Sequence, residues 1–255
     1  MPNVMHYPFL VFVVSFVTMW VSARIAWSWL KRKFTLDEEI REGFGLILGA
    51  SLTLLGLVVG FTFSMALSRY DQRKNYEEAE ANAIGTEYLR ADLLPSEYAA
   101  KVRTLLKSYL DQRIAFYLSQ DDQELSRTNA RTARLQSELW TTVVAPVAAH
   151  PTPPITLAVA GMNDVLNSQG YTQSAWWYRI PTGAWALMVV IAIGCNVLVG
   201  FGSRGVRAER KLLFILPLLI AIAFMLIADI DTPRHGMIRI NPQNLTSLAN
   251  SLRQG

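Results

Sequence analysis

The stretch from Gly43 to Ser68 limits this chain more than any other, because it runs 26 residues without a charge. A helix needs about 20 predominantly apolar residues to cross the hydrocarbon core of a bilayer. Backbone in lipid must satisfy its own hydrogen bonds, so such a run is a helix. Three further runs have the same character. Tyr7 to Leu30 is interrupted only by Arg24, which can snorkel to the nearby edge. Trp27 and Trp29 fall at the interface there, before Lys31, Arg32 and Lys33. A third run is expected to begin at Pro181, a good first helical residue, and to reach about Phe201, with Trp176, Trp177 and Tyr178 as an aromatic belt before it. A fourth runs from Leu212 to Ala228, with a kink expected at Pro217. The basic stretch Ser203 to Lys211 makes the last two an antiparallel hairpin. The expectation is an all-α integral membrane protein. It has a transmembrane hairpin at 1–68, a helical extramembrane domain at 69–179, a second hairpin at 180–228 and a tail at 229–255.

Composition narrows the function. The net charge of +4 suits an anionic lipid surface, and no concentrated basic patch argues for nucleic acid. A single cysteine, Cys195, excludes an intrachain disulfide and reads as packing. No Lys or Arg precedes the first apolar run and no small-residue cleavage site follows it, so that run reads as a retained helix. The histidines His6, His150 and His235 lack metal-ligand spacing. No phosphate loop, nucleophile elbow or Cys–His pair is present. No enzyme activity, cofactor or metal is expected. The two hairpins show no matched broken helices of the kind that inverted-repeat transporters use.

The segment after Arg69 is expected to extend the second membrane helix into water as far as about Pro95. Its carboxylates Glu77, Glu78, Glu80 and Glu87 mix with bases and read as a solvated face. A helix after Ser96 carries Val102, Leu105, Leu106, Tyr109 and Ile114 on one stripe. Another carries Leu135, Leu139, Trp140, Val143 and Val147. His150 to Pro154 is a hinge, followed by a helix from about Ile155 to Asn167. The stripes are packing surfaces among helices or an assembly surface between subunits.

Within the charge-free run, Gly45, Gly49, Gly56 and Gly60 fall in an arc of roughly 60°. Small residues at this spacing let a neighbouring helix approach closely. A second face, roughly 90° away, carries Thr53, Leu57, Phe61, Ser64 and Ser68. Such a face could line a narrow pore whose apolar constriction gates by dewetting. The pattern by itself fits better a helix buried in a bundle, with its hydroxyls bonded to backbone.

The stretch Val59-Gly60-Phe61-Thr62-Phe63-Ser64-Met65-Ala66-Leu67-Ser68-Arg69-Tyr70-Asp71-Gln72-Arg73 resembles the end of the second membrane helix of bestrophins. Glu80-Ala81-Asn82-Ala83, then Leu94-Pro95, and the ending Asp229-x-Asp231-x-Pro233-Arg234-x-Gly236 are similar to the bestrophin-like domain family of bacterial membrane proteins. The likeness to that family covers most of the chain, and the likeness to true bestrophins about fifteen residues. The resemblance implies a pentameric ion channel of the bacterial inner membrane, with the second helices around the pore and a neck at Thr53, Leu57 and Phe61. Thr53 departs from the usual apolar residue, which implies a shorter constriction. The aspartate-rich calcium clasp of animal members is absent, and so is the proline-rich entry to the helix.

The implied partners are the bilayer, further copies of the chain and permeant ions. Arg69 and Asp71, directly beyond the pore face, are candidate mouth charges or a local salt bridge. Asp229, Asp231 and Arg234 form a membrane-edge cluster whose carboxylates either recruit a cation, or cap the helix end or pair with arginine. The basic residues of the short loops favour those loops as cytoplasmic, whereas the resemblance implies that the helical domain is cytoplasmic, so its side is open. The alternative to a channel is a non-conducting scaffold or signalling protein that binds a partner through the helical domain.

Overall fold

The computed structural model describes residues 7–30, 38–147, 151–203, 213–234 and 236–254. They form α1 (Pro8–Ile25), α2 (Glu38–Arg90), α3 (Ser96–Leu118), α4 (Asp122–Val144), α5 (Pro153–Trp177), α6 (Thr182–Gly202), α7 (Ile215–Asp231) and α8 (Gln243–Gln254). No strand occurs among the described residues. The basic stretches Lys31–Lys33 and 204–211 lie outside the described residues, as do His6, His150 and His235.

Two compact units result. One holds the described residues up to Arg69 with Arg179–Ile238, and the other Tyr70–Tyr178 with Arg239–Gly255. At 53 residues α2 is about 80 Å long and supplies both. Among the described residues, three regions are long and apolar enough to cross a membrane: Pro8–Trp29, Glu42–Leu93 and Pro153–Gly202. In α2 the charge-free part is Gly43–Ser68. Apolar α7 has 17 residues. Pro217 falls in its first turn, where a missing backbone N–H leaves no intrahelical bond unmade.

In the first unit α1 packs on both α6 and α7. Gly200 permits the α1–α6 crossing, since a Cβ there would lie 2.2 Å from the carbonyl oxygen of Ala23. Trp20 stacks on Phe214, and Trp185 meets Phe224 edge-on. The guanidinium of Arg24 lies 5.2 Å from the Trp27 ring and 5.9 Å from that of Trp20, which shelters its charge at the helix end.

In the second unit α3 packs on α4 and α8, and α4 on α5. Val102, Leu106 and Tyr109 of the α3 stripe are fully buried, with Leu105 and Ile114 at its margin. On α4, Leu139 and Val143 are core, but Trp140 is 40% exposed. The side chain of Asp121 accepts the Glu124 amide and caps α4. α5 runs ten residues past Asn167, to Trp177. Trp176 is not an interfacial belt residue. It turns into the core, its ring 5.0 Å from Phe116 and 5.5 Å from Tyr117, while Trp177 and Tyr178 stay exposed. Helix α8, in what reads as a tail, adds Leu245 and Ala249 to this core.

Candidate functional site

Two faces of α2 carry the chemistry. In the apolar half, Leu55, Thr62 and Ala66 are buried against the rest of the first unit. The face of Thr53, Leu57, Phe61, Ser64 and Ser68 lies roughly 160° round the helix from them, and all five are exposed. Leu57 is 53% and Phe61 66% exposed. Thr53 donates its hydroxyl to the Gly49 carbonyl at 2.9 Å, which internalises its polarity. A Cβ built at Gly45, Gly49, Gly56 or Gly60 meets nothing within 4 Å. What these glycines admit therefore does not come from the described residues of the same chain. Just beyond, Arg69 is half-buried, its Nε without a hydrogen-bond partner among the described residues, and Asp71 is exposed.

Beyond Asp71 one stripe of charged side chains turns inward, while Lys74 and Glu78 stay exposed. Arg73, Glu77, Glu80 and Glu87 are each at most 2% exposed, which corrects the expectation of a solvated face for these three carboxylates, whereas Glu78 is exposed as expected. Each of the first three has a defined task. Arg73 donates to the carbonyls of Ala175 at 3.1 Å and Tyr178 at 3.2 Å, so a cation caps the C-terminus of α5. Glu77 accepts the amide of Leu245 at 3.0 Å and the side-chain amide of Asn244 at 2.6 Å, so an anion sits at the N-terminus of α8. Glu80 is ion-paired with Arg113 of α3 and also accepts from Thr172 at 3.1 Å and Tyr117 at 3.3 Å. The Arg113 guanidinium in turn lies 4.5 Å from the Phe116 ring. Burial, reinforced by the charge of Glu80, pushes the Tyr117 phenol up, so it stays a donor. Glu87 differs: neither oxygen has a hydrogen-bond partner among the described residues.

At the end of α7, Asp229 accepts the amides of Met237 at 2.6 Å and Ile238 at 2.8 Å. Gly236 is required at that turn, since a Cβ would lie 2.6 Å from the Asp229 carbonyl oxygen. Asp231 takes the Ile180 amide at 3.2 Å, and Arg179 donates to the Asp231 carbonyl. Arg234 is half-buried beside this turn. These carboxylates tie the end of α7 to the chain segment that precedes α6 and to the one that follows α7. Among the described residues no three His, Cys, Asp or Glu side chains converge closely enough to hold a metal ion.

The fold has known counterparts. A bacterial bestrophin homologue from Klebsiella pneumoniae matches with a TM-score of 0.66 at 15% identity, over 96% of this chain and 96% of its own. A single-residue variant of that homologue matches with a TM-score of 0.67 at 15% identity, over 100% of this chain and 97% of its own. No curated protein matches the sequence. The family model of the bestrophin-like domain matches residues 9–245, nearly the whole of the described chain. With its apolar helices and this fold, the chain is an integral membrane protein and belongs to the bestrophin-like domain family.

Proposed function

We propose that the chain is one subunit of a homo-oligomeric, pentameric ion channel or channel-like protein of the bacterial inner membrane. It crosses the bilayer four times, through α1, the apolar half of α2, α6 and α7, and the second unit is its extramembrane domain. The pore is lined by α2, with Leu57 and Phe61 as the constriction and Thr53 as its polar end. Ser64 and Ser68 continue the lining, and Arg69 and Asp71 bias ions at the mouth. The glycine face seats the neighbouring subunit.

One observation carries this reading: the face of Leu57 and Phe61 is exposed and lies opposite the stripe that α2 buries in its own unit. Helices arranged in a ring, each backed by its own bundle, would turn such a face to the axis. Bestrophin-like membership supports the same arrangement.

The test is the subunit number and then the current. Particle imaging of the full chain in nanodiscs is expected to give a closed ring with the α2 helices innermost. Phe61→Ala is then expected to change conductance or gating without loss of assembly. Unaltered currents would remove Phe61 from the neck. A monomer or dimer would put the non-conducting scaffold in first place.

A further inference from the structure

Glu77 and Glu80 spend their charge on named donors, but Glu87, with no exposure, does not. It sits where α2 crosses α5 at Gly161. A Cβ on Gly161 would lie 2.1 Å from Glu87 Oε2 and 2.3 Å from Arg90 Nη1, so both head groups occupy the space a side chain would take. Arg90 stands three residues along α2, on the same side as Glu87. Its Nη1 is 4.0 Å from Asp164 of α5, and that carboxylate is well exposed. Asp92, on the turn that follows α2, is already held by Arg103 of α3. The charged groups facing Glu87 are therefore Arg90 and Asp164.

We propose that Arg90 is shared between two carboxylates and that the proton on Glu87 decides which one holds it. With Glu87 neutral, Arg90 pairs with Asp164 and ties α2 to α5. When Glu87 gives its proton to solvent, its buried anion draws Arg90 back onto α2 and releases α5. Only the O–H bond breaks, and the guanidinium keeps its charge throughout. A buried carboxylate without donors is costly as an anion, and a nearby guanidinium is the one group able to relieve it.

The ionisation falls in a useful range. Burial pushes the Glu87 carboxyl up to about 8, against the pull of Arg90 and with the push of Asp164. The folded state therefore keeps a proton that the unfolded chain releases near the ordinary carboxylate value. The stability this contributes is full below that ordinary value and is lost as pH rises to about 8. The inference rests on the fold of the second unit and holds whether or not the chain conducts.

The experiment uses the full chain in nanodiscs. Hydrogen–deuterium exchange of α5 is measured on either side of pH 8, corrected for intrinsic exchange, in parallel with infrared spectra. Wild type is expected to lose protection around Gly161 by about fivefold, the upper range for a part-exposed ion pair. The C=O band of a protonated carboxyl should vanish over the same interval. Glu87→Gln should lack both changes, and Asp164→Asn should keep the band change while showing low protection on both sides. A protection step that persists in Glu87→Gln overturns the proposal. So does a wild type without the band near neutral pH, or an Asp164→Asn chain with the full wild-type step. The last two comparisons stand even if Glu87→Gln does not fold.

Discussion

Leu57 and Phe61, in the apolar half of α2, are more than half exposed, whereas Arg73, Glu77, Glu80 and Glu87, in its polar half, are sealed from solvent. One helix thus leaves one apolar face outside its own unit and seals one charged stripe inside. The difference lies in where the partners are. An apolar face inside a bilayer gains little by burial in its own chain, because lipid or another subunit serves as well. A buried charge must find its partner within the fold, and each of the first three finds one on another helix.

Arg113→Ala breaks the comparison at its strongest point. It leaves the Glu80 carboxylate buried beside only two hydroxyls, and removal of one partner of such a pair typically costs about 3–5 kcal/mol. Loss of α3 and α5 protection in hydrogen exchange, with α1 and α7 retained, is the expected outcome. A wild-type-like unfolding profile would mean that the pair is not structural. Gly161→Ala comes next, because the added methyl overlaps Glu87 and Arg90. Overpacking of this kind costs about 1–3 kcal/mol, to be read as a lower midpoint in chemical denaturation. The smallest effect on the fold belongs to Phe61→Ala, expected within about 0.5 kcal/mol of wild type for the subunit. A loss of the size seen for core truncations would place Phe61 in the subunit core and sever it from the pore.

Hydropathy made α1, the apolar part of α2 and α6 legible as spans, since apolar length is a direct physical requirement of the bilayer. The break before α3 was equally plain, because Leu94 precedes Pro95 and the residue before a proline avoids helical geometry. The buried carboxylates were not. Charges of both signs along a helix ordinarily mean a wet face, and their partners lie far off in sequence, Thr172 for Glu80 and Asn244 for Glu77. A signal did exist. Arg73, Glu77, Glu80, Ile84 and Glu87 continue, at steps of three, four and seven, the series Leu55, Thr62, Ala66. Periodicity counted without regard to polarity would have found it. Helix α8 escaped because it is short and mostly polar, and only its docking against α3 explains it.

The pairing of Glu77 with Asn244 and Leu245 has a consequence for biogenesis. Ribosomes deliver Glu77 long before its donors, and the apolar helices α6 and α7 are synthesised in between. During that interval the α8 site on the second unit is empty and its carboxylate is wet. The unit therefore cannot reach its final form as a nascent domain. It closes only after α6 and α7 have been made, so a chain stalled before Asn244 presents an unfinished surface to the proteases that survey new proteins.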